Sequence, residues 1–458
     1  MDRKISDKEF HYLMDHLDML YTGASLREYV NLNNQRKQES LFIPLSEEMP
    51  DIEKMIRIDG IPVLFPCSEK SFWYSEEKKG ITFHHDILKS SFYLISAYQE
   101  YKSQDLDEHG RFPWISSIQH SLGITQKPVV NYYFEVILEA FEKFCALHKL
   151  DFQRKIREAP VFFLSHDVDR IKKYTLRNLV FSIMQFPGLK PGSLGGARQL
   201  KIIVNYATGI LLGKKDPYWN FYEMTDLEKE LKISSTWYFL EKTKLDNSRY
   251  HFKDAKIRHL ITYLAEKGHE VGIHGTLESS SDLNTLKKEI LELNMVSGLP
   301  VAGIRQHYLK YCHPHTSRIQ SATDLIYDSS LGFAEQIGFR NSYAYPFRLF
   351  DFENQRPIDI WQLPLNVMEV SLIGYMNIEI ASIPETIRPV LHEVLKFKGV
   401  FSLLWHNCRL DEESMPGVHE TYNLLLREIL NSGCIPLTGR MALDRFISGG
   451  ASGSSSSA

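Results

Sequence analysis

At 458 residues and a net charge of −4, the chain is too long for one ordinary domain, and its charge gives no general reason to bind nucleic acid. Its five cysteines are scattered without a Cys-x-x-Cys pair, which argues against a zinc knuckle or disulfide framework and for a reducing compartment. The charged start lacks the apolar core of a secretion signal and no apolar run reaches the ~18 residues of a membrane span, so the expected location is the cytoplasm.

Residues 1–150 are expected to form a smaller α/β domain of unassigned role. Short apolar runs at 41–44 and 61–65 predict strands; 86–98, with Asp86 as its cap, and 130–150 predict helices. A polar stretch ending at 107–113 reads as a loop. His84 and His85 are adjacent, so a strand would turn them apart and they cannot share one ion.

From Ala159 to residue 447 the pattern becomes strand followed by helix. Val161 to Leu164 is an almost wholly apolar run, the mark of a strand buried on both faces. It ends in Ser165, His166, Asp167 and Asp169. Two carboxylates this close repel unless a cation or donor relieves them. Further strands are predicted at 234–240, 270–274, 301–305, within 358–370, at 400–405 and at 434–438. Helices are predicted at 254–267, 282–296, 384–397 and 417–430, with Gly268 and Gly298 as stops. Such alternation implies parallel strands joined by crossover helices. About seven units suit an α/β fold closed as a distorted (β/α) barrel better than an open sheet. No Gly-x-Gly-x-x-Gly follows any strand, so a nucleotide-binding sheet has little support. Residues 449–458, only Gly, Ser and Ala, are set aside as a tail.

One segment interrupts the rhythm. From Arg170 to Lys215 there are nine Lys or Arg and not one Asp or Glu. Apolar runs at 179–184 and 202–204 and a Pro/Gly-rich middle from Pro187 to Gly196 are interleaved. Either this is a basic insertion packed on the barrel rim, or it is an interfacial element resting on anionic lipid, which would bring the mouth to a lipid-linked sugar.

In a barrel, side chains at the strand ends converge on one mouth. Those ends carry Asp167 and Asp169, His274, Arg305 and His406. Carboxylate oxygen with imidazole nitrogen is a ligand set for zinc or a similar divalent ion. Such an ion polarises a carbonyl and acidifies water. A spare carboxylate could take that water's proton and a separate histidine could protonate a leaving amine. Amide hydrolysis is the reaction this set performs most naturally.

Taken in order, Ser165-His-Asp167-Val-Asp169, Gly268-His-Glu-Val-Gly-Ile-His274-Gly-Thr, Arg305-Gln-His-Tyr308 and Leu403-Leu-Trp-His406 resemble a known set of motifs. They are those of the polysaccharide deacetylases, the NodB-homology or carbohydrate esterase family 4 group, over roughly residues 159–445. The resemblance implies Asp167 as catalytic base, Asp169 and His274 as metal ligands, Arg305 orienting the base and His406 as general acid. Tyr308 would line the groove, its backbone helping to form an oxyanion site. A divalent metal is implied, zinc first, with nickel, cobalt or manganese as alternatives. Residues 1–150 are similar to the appended region of bacterial two-domain members.

Departures accompany the resemblance. The family's second motif has another histidine four residues after the first; here that position is Glu278, which can bind the same ions and stands as the third expected ligand. His307 stands where the third motif often has proline, and either compensates in the site or packs structurally. Glu369 sits where related chains place an acidic residue that could pair with His406. Trp405, Tyr308 and Trp361 could offer stacking faces for a sugar ring. His269 and Asp328 read as structural, His313 and His315 as surface. The expectation is a metal-dependent N-deacetylase acting on an acylated amino sugar in a surface-polysaccharide precursor, free or lipid-linked. A barrel that binds glycan without turnover and an amidase on a small non-sugar substrate are the alternatives.

Overall fold

The computed structural model describes residues 3–22, 25–32, 39–184, 196–246 and 248–448. Most of the Pro/Gly-rich middle of the basic segment (187–195) and the stretch 449–458 lie outside them.

The N-terminal region is built on apolar helices. Asp7–Leu17 opens with a capping box, in which the side chains of Ser6 and Glu9 each accept from the other's backbone N–H. Ile87–Ile95 is buried along its whole length and is capped by Asp86, which accepts from the Lys89 N–H at 2.8 Å. The third helix is Val129–His148. The short strands β1 (Val30–Asn31), β2 (Leu41–Phe42), β3 (Ile56–Ile58), β4 (Ile61–Val63), β5 (Tyr74–Glu76) and β6 (Ile81–Phe83) accompany them. β1, β2, β6 and β5 form one sheet in that order, and β3 pairs with β4.

The next strands are β7 (Val161–Val168), β8 (Thr236–Leu240), β9 (Glu270–Gly275), β10 (Gly303–Gln306) and β11 (Tyr327–Asp328). After them come β12 (Phe347–Asp351), β13 (Arg356–Gln362), β14 (Val367–Met368), β15 (Val400–Leu404) and β16 (Ile435–Pro436). They pair in the order β12-β13-β11-β10-β9-β8-β7-β15-β14, with β16 also on β7. In this sheet only the β12–β13 pair is antiparallel among the described residues. Every residue of β7, β8 and β15 is buried, which is why these strands read as unbroken apolar runs. Crossover helices begin and end at caps. Asp282 accepts from the Thr285 N–H at 2.7 Å, and Gly298, at φ 71°, ends Leu283–Ser297 in the left-handed conformation.

The sheet curls. On a flat sheet β7 and β10, three places apart, would be about 14 Å from each other, yet Arg305 on β10 reaches Asp167 on β7 at 3.0 Å. Two glycines leave room for the rings that fill the inside of the bend. A Cβ at Gly272 would lie 2.5 Å from the Tyr238 ring, and one at Gly303 would lie 2.2 Å from the Tyr327 ring.

Ten strands make up this sheet among the described residues, where about seven were expected. The surplus lies in the two-residue strands β11 and β14, too short to leave an apolar run, and in β12. The β12–β13 turn is fixed by Asp351, whose Oδ1 accepts from the N–H groups of Glu353 and Asn354 at 3.1 and 2.9 Å.

A single apolar core runs from the N-terminal helices into the barrel. Buried polar contacts cross the same junction. Arg340 donates from Nε and Nη2 to the two Glu100 carboxylate oxygens at 2.8 and 2.7 Å, and His16 Nε2 meets the Tyr343 hydroxyl at 2.7 Å.

Candidate active site and metal centre

Asp169 lies just past β7, His274 near the end of β9 and His307 just past β10. One donor atom from each lies within 4.8 Å of the others. His274 Nε2 is 3.3 Å from Asp169 Oδ1, and His307 Nε2 is 3.8 Å from Asp169 Oδ2. Two ligands each about 2.1 Å from a tetrahedral ion stand about 3.4 Å apart, so the set fits a zinc-sized cation. Asp169 Oδ1 is buried and accepts no well-directed hydrogen bond among the described residues, as expected of an atom that faces a cation.

The imidazoles are already turned for ligation. His274 Nδ1 faces the Arg305 carbonyl at 2.8 Å. A carbonyl only accepts, so Nδ1 donates and Nε2 points at Asp169. His307 Nδ1 is held in the same way by the Asp246 carboxylate. An acceptor behind each ring is the usual support of a metal-bound histidine. Burial pushes the Asp169 carboxyl up, but the His307, His274 and His406 imidazoles outweigh it and hold the group well below the usual carboxylate range. Burial likewise lowers His274, and Asp167 and Asp169 outweigh it, so its pKa is raised. The same anionic field would draw a cation.

A second constellation stands against the first. Asp167 Oδ2 is 3.6 Å from His274 Nε2, and its Oδ1 accepts from Arg305 Nη1 at 3.0 Å. Arg305 is wholly buried. Its other bonds go to the hydroxyls of Ser165 and Ser329 at 2.8 and 2.7 Å and to the Ser329 carbonyl at 3.0 Å. A guanidinium so held fixes the Asp167 carboxylate in one orientation. His406, two residues past β15, has its Nε2 4.0 Å from Asp167 and 3.8 Å from Asp169. Its Nδ1 donates to Glu369 at 2.6 Å. Burial lowers its pKa, but Glu369, Asp169 and Asp167 outweigh that and raise it to about 9. His406 is therefore protonated at neutral pH, an acid rather than a base.

A family model described as a family of unknown function, DUF7033, matches residues 3–145. No curated protein matches the chain. Among solved structures, the chain is similar to a Mycobacterium smegmatis protein assigned to the polysaccharide deacetylases, with TM-score 0.41 and 16% identity over 63% of this chain and 90% of that one. It is similar to Puue allantoinase, with TM-score 0.40 and 11% identity over 62% and 89% of the two chains. A third likeness is to a CE4 family pseudoenzyme of Bacillus anthracis, with TM-score 0.33 and 9% identity over 63% and 66%. Likenesses this distant say nothing of chemistry; the site's own geometry has to.

That geometry does not include Glu278. Its side chain is exposed on the turn after β9. The Ser281 and Asp282 N–H groups bond to the Glu278 carbonyl at 3.0 and 3.1 Å, winding the chain into a helical turn away from the cluster. His307, read from sequence as either compensating in the site or packing structurally, stands with Asp169 and His274. Trp405, expected to face a sugar, is fully buried against Tyr422, and Trp361 is buried beneath Arg348. Tyr308 does line the cavity, which measures about 470 Å³. Its ring stacks on His109, with centroids 4.5 Å apart. His313, expected at the surface, is buried, and burial pushes its pKa down to about 3.

Two contributors escaped sequence reasoning. Asp246, in the loop after β8, meets His307 across 61 residues, and no local pattern marks it. Arg111 belongs to the N-terminal region yet lines the cavity. It donates to the Tyr308 carbonyl at 2.9 Å and to the Tyr375 hydroxyl at 3.3 Å, with Asp107 paired to it. The polar stretch 107–113 carried no sign of this role beyond its charge.

Proposed function

We propose that this chain is a metal-dependent hydrolase that removes the N-acyl group of an amino sugar in a surface-polysaccharide precursor. One observation carries the reading. Three donors suited to a divalent cation share a pocket with an arginine-held carboxylate on one side and a protonated histidine on the other. The order of the four motifs along the chain supports the same reaction.

Asp169, His274 and His307 would hold the ion. When bound, it would polarise the acyl carbonyl and lower the pKa of water toward 7. Asp167, oriented by Arg305, accepts the proton of the attacking water. His406 delivers its Nε2 proton to the departing amine nitrogen, and Glu369 holds that imidazole in its acid form until then. Tyr308 and Arg111 shape the wall against which the sugar lies. A cavity of about 470 Å³ suits one or two sugar units.

The test combines metal analysis with acetate release from N-acetylglucosamine oligomers and nucleotide-linked N-acetyl sugars. Zinc-loaded protein is expected to bind about one ion per chain and to release acetate. Asp167→Asn should keep the ion and lose at least about a hundredfold in turnover. His307→Ala should lose the ion, and Glu278→Ala should keep it. A metal-loaded protein that releases no acyl group from any amino sugar would sink the reading; metal loss in Glu278→Ala rather than His307→Ala would sink the ligand set alone.

A further inference from the structure

Beside the catalytic mouth, the helices Leu176–Met184 and Gly196–Leu211 pack chiefly against each other. Leu179, Ile202, Ile203 and Ile210 are half-buried, but many of the helices' apolar residues face outward. On the first helix Leu176, Val180, Ile183 and Met184 recur at helical spacing and are all exposed, as is Phe181 at 55%, whereas the buried residue is Ser182. On the second, Leu200, Val204 and Leu211 form a stripe, Leu211 being 81% exposed, and Leu212 continues it. An ordinary surface helix turns such a stripe to the core. A contiguous exposed one marks a surface that something else covers.

Charge of one sign surrounds this face. Arg170, Lys172, Arg177, Lys201 and Arg249 are exposed, and none of their side chains has an ion pair or hydrogen bond among the described residues. The Arg249 guanidinium is partly desolvated and faces Arg177 and Arg170, whose like charges push its pKa down further. Arg170 also lines the catalytic cavity. The root of the helix pair is tied to that cavity as well. Buried Lys173 pairs with Asp411 and Glu413 at 2.6 and 3.0 Å, and Asp411 is a lining residue. The Tyr174 ring occupies the space that a side chain at Gly209 would need, seating the second helix on the first helix's stem.

We propose that this helix pair seats the protein on an anionic bilayer surface, apolar side chains among the headgroups and the unpaired arginines and lysines on lipid phosphates. Charge complementarity selects the occupant: a second copy of the chain would bring the same cations together, whereas an anionic bilayer meets both the charge and the apolar stripe. No helix among the described residues is long and apolar enough to cross a membrane, so the pair lies in the interface. The contact stands independently of the catalytic reading; only delivery of a lipid-linked sugar to the mouth rests on it.

The experiment is flotation of the full chain with vesicles of phosphatidylglycerol in phosphatidylcholine and with phosphatidylcholine alone, at low and high salt. Binding is expected to the anionic vesicles only and to fall with salt. Arg177→Glu and Arg249→Glu should each weaken it at least about fivefold, and Phe181→Asp should abolish it. Acetate release from soluble substrates should be unchanged in Arg177→Glu, which separates failure of this surface from failure of the hydrolase. Equal recovery with and without vesicles would overturn the proposal, and so would undiminished binding by the charge variants. Light scattering that shows a dimer dissolved by Phe181→Asp, without flotation, would assign the face to self-association instead. Should Phe181→Asp lower the thermal midpoint, the two charge variants decide alone.

Discussion

Two of the three imidazoles around Asp169 have different partners behind them, and the partners set their work. His274 leans on a carbonyl, which orients the ring without adding charge; His406 leans on the Glu369 carboxylate, which keeps a proton on it. Its pKa of about 9 makes it the acid form through the neutral range. Activity that needs this acid is present below the pKa and lost as pH rises through it. Glu369→Gln removes the anion, lowers that pKa and should move the alkaline limb of kcat/KM to lower pH, with roughly a tenfold loss at mildly alkaline pH. A limb that stays put would show that the two core carboxylates alone hold the proton. The five motif residues that meet here were legible because strand-end position and residue type coincide. His307 stayed between two readings, because its place beside Asp169 depends on Asp246, remote in sequence.

The curl of β7 to β10 decides whether these residues meet. It relies on glycine where two tyrosine rings lie flat across the neighbouring strand, and Gly303 is the tighter of the two positions. Gly303→Ala should therefore cost about 1–3 kcal/mol in denaturant unfolding. Because Arg305 is two residues along the same strand, turnover should fall with it; full turnover in a destabilised variant would detach the strand's curvature from the site. At this scale the sequence was informative wherever an element was long and apolar. Val161–Leu164 and the helices capped by Asp86 and Asp282 were legible for that reason. The two-residue strands β11 and β14 leave no such trace, and β12 was missed because its signal lies in the Asp351 turn rather than in an alternating run.

Across the whole molecule, the N-terminal region and the barrel share one core and a buried ion pair. Arg340 and Glu100 are both almost wholly enclosed, so removing one leaves the other charged and unpaired. Glu100→Ala should cost about 3–5 kcal/mol, and wild-type unfolding should proceed in one transition seen alike by both regions. Two resolved transitions, with only the first shifted in Glu100→Ala, would show that the regions fold separately. Arg111 gives the same junction a place in the cavity wall, so loss of the N-terminal contact should weaken the site as well as the fold.

Composition, periodicity and motif order by themselves determined the strand–helix alternation, the barrel class, five of the residues that meet at the site and the one-signed charge of residues 170–215. These are properties of neighbours in sequence: apolar spacing, caps and short spans at strand ends. The tertiary structure alone decided that His307 rather than Glu278 faces Asp169, that Trp405 is core, and that an N-terminal arginine enters the cavity. It also decided that the apolar stripes of the basic segment face outward. Each of those depends on which distant surfaces pack together, and a turn that rotates a side chain outward leaves no mark in its own residue type.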